Sequence, residues 1–243
     1  MKESNDLVNG VGGGWSLPTE IRSLQNWQNQ VKTGSYITFQ RMIYASYGIL
    51  NGFKIWNDIP SIYEKEVFET IFNIGYINIK KCPGTSKANP QEIRKAYISN
   101  KALLLKQIET YNPDVIIGGN TMNHFINDFD FKEDKWLYNN ANYTSFNHDN
   151  KRVFIDAYHP AYFTIKEEIY CNEIISAASS GLKRLNRIST GPNIQEYERS
   201  ASLSRSYGNP ASIPINYYHV LYFLSFSRLL LLPFPEILLY QCL

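Results

Sequence analysis

Three apolar runs in this sequence end in polar residues able to do chemistry. Ile74-Gly75-Tyr76-Ile77 leads into Asn78, then Ile79, Lys80 and Lys81, before Cys82-Pro83-Gly84 breaks the run. Val115-Ile116-Ile117 leads into Gly118-Gly119-Asn120, and Val153-Phe154-Ile155-Asp156-Ala157 leads into Tyr158-His159-Pro160. An asparagine offers both a donor and an acceptor, which suits Asn78 to reading the edge of a base or an amide. Lys80 and Lys81 read as phosphate contacts, because no feature around them argues for a desolvated catalytic amine. His159 before Pro160 reads either as a cap at a strand-to-helix turn or as a group facing a ligand. Asp156 with His159 and either His124 or His148 matches no metal-ligand spacing, so no metal site is expected. Gly10 to Gly14 lacks the spacing of a phosphate-cradling loop.

These residues need a scaffold that brings strand ends together. Short β-rich apolar runs alternating with helical patterns predict an α/β fold: a parallel sheet with right-handed crossovers and helices on both faces, three layers in all. Ligands bind at the carboxyl ends of such strands, where Asn78, Asn120 and His159 would lie. Helical spacing marks Ile21, Leu24, Trp27 and Val31, and an aromatic-rich second helix is expected within Phe39 to Phe53. Tyr63 to Phe72 reads as a short helix entering the central strand at Ile74. Asn89 caps a long helix that starts at Pro90 and runs to about Tyr111, where Asn112-Pro113-Asp114 stops it. Residues 128–150, polar and rich in asparagine, read as a long surface excursion. A last helix spans Ile165 to about Leu185.

The composition sets further bounds. The chain has 243 residues, 44% of them hydrophobic, enough for one core with an appendage. A net charge of +2 does not itself point to nucleic acid, so any DNA contact must come from a local patch. The three cysteines, Cys82, Cys171 and Cys242, are widely spaced and odd in number, which fits a reducing cytoplasm better than a disulfide framework. The reading divides the chain into an α/β domain over 1–187 and, over 188–243, a linker followed by a poorly ordered apolar tail. Arg228, Pro233 and Pro235 interrupt that tail where a membrane span would have to run, which disfavours an anchor.

In order and spacing the three motifs resemble the uracil-DNA glycosylase superfamily, and most of all its single-domain bacterial branches. The resemblance rests on Tyr76-Ile77-Asn78-Ile79-Lys80-Lys81-Cys82-Pro83, on Pro113-Asp114-Val115-Ile116-Ile117-Gly118, and on His159-Pro160-Ala161. It covers about Tyr76 to Leu185. It implies hydrolysis of the N-glycosidic bond of a flipped base in uracil-containing or damaged DNA. Asn78 would match the residue that reads the base, and His159 the one that faces the scissile bond. Phe39 would stack on the base, with Lys80, Lys81 and Asn120 on the phosphates. A histidine hydrogen-bonded to the base carbonyl stabilises the negative charge that builds there as the bond breaks. No cofactor and no obligatory protein partner are implied.

The departures from the family pattern carry expectations of their own. Lys2-Glu3-Ser4-Asn5-Asp6 is the nearest match to the first family motif, with Ser4 in place of the water-activating aspartate and Glu3 or Asp6 as substitutes. The strand that precedes this motif has no counterpart after Met1. The sequence therefore predicts a sheet lacking its first, central strand, in a chain truncated at its start. Cys82 matches one iron–sulfur ligand and the other three have no counterpart, so no cluster is expected. The alternative function is a degenerate, non-catalytic α/β interaction domain, membrane-associated through the apolar tail.

Overall fold

The structure, a computed structural model, describes residues 37–80, 89–185 and 218–224. The helical pattern around Trp27, along with Glu3, Asp6 and Lys81, lies outside them.

Five strands form one sheet: β1 (Ile74–Asn78), β2 (Val115–Gly119), β3 (Thr144–His148), β4 (Val153–Ala157) and β5 (Val220–Leu224), in the order β1-β5-β2-β4-β3. All neighbours run parallel except β3, which pairs antiparallel with β4. Among the described residues the α-helices are α1 (Ile37–Leu50), the single turn α2 (Lys65–Phe68), α3 (Pro90–Tyr111) and α4 (Glu167–Arg184).

Side-chain alternation on the strands divides the core in two. Val115, Ile117, Val153, Ile155, Val220 and Tyr222 pack with Met42, Ala45 and Ile49 of α1 and with Ile174, Ala178 and Leu182 of α4. The intervening residues Ile116, Phe154 and Leu221 face the other way, onto Ile93, Leu104 and Ile108 of α3 and the rings of Phe125 and Phe129. Gly181 lets α4 approach β4 closely, since a Cβ there would sit 2.4 Å from Val153 Cγ1. The local signals act as expected at α3. Asn89 Oδ1 accepts the Gln91 N–H at 2.9 Å, Pro90 opens the helix, and Asn112 closes it in a left-handed conformation at φ 42°. Glu167 and Glu168 open α4, while Lys183 and Arg184, both exposed, close it, each pair complementing the helix dipole.

Four expectations are corrected. The central place between β1 and β2 is not vacant, because Val220–Leu224 fill it, and Val220, Leu221 and Tyr222 are buried. Residues 220–224 thus belong to the domain core, and neither a boundary at 187 nor a tail from 188 describes them. Ile74–Asn78 is an edge strand rather than the central one. The supposed excursion over 128–150 contains β3, whose Thr144, Ser145 and Asn147 are polar yet buried. Asn147 is satisfied locally: its Oδ1 accepts the N–H groups of Glu133 and His148, and its Nδ2 donates to the Glu133 carbonyl.

Candidate functional site

Because β1, β5, β2 and β4 are parallel, their carboxyl ends open on one edge of the sheet. Asn78 ends β1, Asn120 follows β2, and His159 follows β4 by two residues. The strand order places Asn78 and His159 three strand spacings apart, about 14 Å at the usual inter-strand distance.

His159 sits in a tightly held loop. Arg41, on α1 and only 2% exposed, donates to the carbonyls of Pro160 (3.1 Å), Tyr162 (2.8 Å) and Ile165 (2.6 Å). Its guanidinium also lies 5.1 Å from the ring centre of Tyr170. The Tyr170 hydroxyl in turn donates to the carbonyl of Tyr158, on the other side of the histidine. Within the loop, Tyr162 N–H closes a turn onto the His159 carbonyl at 2.8 Å, and Ala161 N–H donates to His159 Nδ1 at 3.1 Å. An Nδ1 that accepts leaves the proton of the neutral ring on Nε2. Burial pulls the histidine pKa down to about 4, so the ring is neutral at pH 7. Nε2 itself is buried, so a ligand reaches this donor only where the covering loop yields; a neutral imidazole held this way is suited to stabilising charge on an acceptor rather than to shuttling a proton.

Asn78 is half-buried, and its Oδ1 accepts the Lys80 N–H at 3.3 Å, leaving the amide NH₂ as the group to present outward. Lys80 Nζ pairs with Glu92 at 2.8 Å in the first turn of α3, which draws the Glu92 carboxyl below its ordinary range. Phe39 precedes Arg41 by two residues on α1 and is partly buried against the cores on both sides of that helix. Asn120 is exposed and adopts φ 60°, and its N–H donates to Ala157 O at 2.7 Å, tying the end of β2 to the end of β4. The tight turn before it needs Gly118, where a Cβ would meet Met122 at 2.6 Å.

Two features escape a reading by motif. Asp156 interrupts the apolar run of β4, accepts the Met122 N–H, and is pushed by burial up to about 6. It lines a cavity of about 240 Å³ together with Asn120, Tyr143, Ser145 and Tyr158. Its place inside a β run was a visible signal, whereas Arg41, one basic residue in an aromatic helix, gave none. A larger cavity, about 600 Å³, lies at the opposite, amino-terminal edge beside Glu66, Thr70, Tyr218 and His219, away from all these groups. Among the described residues no three His, Cys, Asp or Glu side chains gather as metal ligands. His148 pairs with Val153, at the far end of β4 from His159. Among the described residues, no helix is long and apolar enough to cross a membrane. Comparison of the chain with protein-family models, curated proteins and solved structures gave no match.

Proposed function

We propose that this chain excises a base from DNA in the manner of uracil-DNA glycosylases, with His159 stabilising the departing base and Asn78 reading it. The observation that carries the reading is His159, held from both sides with its Nδ1 accepting the Ala161 N–H, on the same sheet edge as Asn78. In the reaction the C1′–N bond breaks and its electron pair leaves with the base. Nε2–H hydrogen-bonds the base carbonyl as negative charge builds there, and a water oxygen bonds to C1′ while its proton passes to solvent or the base. To meet both side chains a base would have to lie across β5 and β2.

The strand order bears on the first motif. The place the family gives to its first strand, between the asparagine strand and the next, is held here by β5. The reading therefore looks for a water-positioning group after Leu224 and not at Glu3 or Asp6. The sequence there runs Ser225-Phe226-Ser227-Arg228, with no carboxylate before Glu236. Catalysis would then lean on His159 and on hydroxyl groups, a weaker device than a carboxylate for activating water.

The test is release of uracil from single-stranded and duplex oligonucleotides by the full chain and by His159→Ala. Removing a donor that acts in the transition state should slow excision about 100- to 1,000-fold, with DNA affinity little changed. No excision by the wild-type chain on either substrate refutes the reading and leaves the non-catalytic interaction domain. Equal loss of binding and rate in the variant would mean that His159 serves the fold.

A further inference from the structure

Next to Tyr158, on the β3 side of the sheet, lies a polar cavity lined by neither His159 nor Asn78. Ser145 and Asp156 stand directly opposite each other across β3 and β4, so their side chains share one face. Together with Asn120 they line a space of about 240 Å³, smaller than the roughly 300–1,000 Å³ of pockets for drug-sized ligands. Tyr143 and Tyr158 complete the wall, their ring centres 6.2 Å apart at 70°.

The wall is preformed. Glu173 of α4 accepts the N–H groups of Asn142 and Tyr143 at 2.9 and 3.0 Å, and Asn139 Nδ2 donates to Ser176 and Ser180 on the same helix. From the cavity a row of rings continues outward. Tyr158 stacks on Tyr162 at 4.8 Å and 18°, and Phe163 follows at 6.5 Å with 84% of its surface exposed. A row of exposed rings at a sheet edge is the usual stacking platform for unpaired bases. A duplex, whose bases are already stacked, gains little from it. The electrostatics agree: the chain carries a net charge of only +2, and Lys80 at this edge is already paired with Glu92. With the Lys80 amine engaged, stacking carries more of the affinity at this edge.

We propose that the cavity bounded by Asp156, Ser145, Asn120, Tyr143 and Tyr158 holds one unpaired nucleobase bearing an exocyclic amine, next to the base that His159 faces. The substrate class becomes single-stranded DNA with adenine, cytosine or guanine beside the excised position. This rests on the glycosylase reading for the kind of ligand, and on the cavity itself for the choice of base. The ionised Asp156 carboxylate accepts from an exocyclic amine, whereas the one Watson–Crick-edge donor of thymine, N3–H, lies between two carbonyls that the carboxylate repels. Asn120 and Ser145, each both donor and acceptor, satisfy the remaining ring edge.

The experiment is fluorescence anisotropy of the full chain with uracil-free oligonucleotides of about twelve nucleotides: oligo-dA, oligo-dC, oligo-dT and a dA·dT duplex. Oligo-dA and oligo-dC should bind about tenfold more tightly than oligo-dT, because thymine N3–H can reach the carboxylate only by bringing a carbonyl oxygen against it. The duplex should bind most weakly of the four. Tyr158→Ala should weaken oligo-dA binding about tenfold through lost stacking. Asp156→Asn, able to donate as well as accept, should bring oligo-dT within about threefold of oligo-dC. Equal affinity for dA, dC and dT, a preference that survives Asp156→Asn in a folded variant, or no binding at all overturns the proposal. Should that variant fail to fold, the wild-type comparison among the four probes decides alone. Because no probe contains uracil, the outcomes separate. A dA and dC preference without excision removes the glycosylase reading and keeps the cavity as a base site. Excision without the preference does the reverse.

Discussion

Replacing Arg41 with methionine tests the link between the core and the His159 loop most directly. The guanidinium serves three carbonyls, and its bonds to Pro160 and Ile165 are buried. Methionine fills much of the same volume and donates nothing. Two buried acceptors would then be stranded, at about 1–3 kcal/mol each, a loss of about 2–6 kcal/mol against a net stability of roughly 5–15. Taking about 4 kcal/mol and a urea slope of about 2 kcal/mol/M, the unfolding midpoint should fall by about 2 M with the slope unchanged. Arg41→Lys should fall between, since one ammonium cannot reach three carbonyls laid out for a planar fork. If the loop instead detaches without global unfolding, the midpoint will hold while the amides of Ala161 and Tyr162 lose their protection from hydrogen exchange. An unchanged midpoint together with unchanged protection at both amides refutes the argument that Arg41 holds the loop.

Two further outcomes are expected. His159 has its pKa lowered from 6.5 to about 4, so as pH falls through that window the unfolded chain takes up a proton the folded chain refuses, and stability is lost. Asp156 has its pKa raised from 3.8 to about 6, so the folded chain binds its proton first and stability is gained as pH falls through that window. Each displacement is worth about 3 kcal/mol at about 1.4 kcal/mol per pH unit, and the two nearly cancel between pH 4 and 6. Asp156→Asn should therefore lose stability on acidification relative to wild type and His159→Gln should gain it, read from urea midpoints at pH 4 and 6.5; parallel pH profiles for all three chains would refute this. Deleting residues 218–243 should abolish the cooperative thermal transition, because β1 and β2 would lose the strand that pairs with both. A truncated chain that melts like the full one would show that β5 is dispensable.

What could be read in advance follows from where each signal resides. The strands at Ile74, Val115 and Val153 were legible because β-branched and apolar residues run together there and stop at Gly, Asn or Pro. Likewise α3 was legible from a cap and a proline that act within their own turn. By contrast β3 was hidden, because Thr144, Ser145 and Asn147 are polar and only the partner strand and Glu133 make their burial tolerable. In β5 the residues were plainly apolar, yet their meaning was not local. Val220-Leu221-Tyr222 is a tail or a central strand depending on an opening between β1 and β2 that is far away in sequence. At the site, Asn78, Asn120 and His159 came to one edge as the βαβ pattern requires. Arg41, which fixes the loop, acts across more than a hundred residues and leaves no periodicity to detect.

The strand that joins the two halves of the sheet is also the last of the described strands to be made. A ribosome that has completed β2 at Gly119 must add 101 more residues to reach Val220, roughly 5–20 s of synthesis at about 5–20 residues per second. Throughout that interval two parallel strands carry open edges, with their backbone N–H and C=O groups unclaimed. Local helices form in microseconds, so α3 would be in place long before its sheet is closed. The nascent chain therefore spends seconds as a partly built sheet with a strand-shaped gap, the form most open to capture by another copy's edge. Yield in a cell should accordingly depend on chaperone supply and on slow synthesis at low temperature more than on the stability of the finished fold.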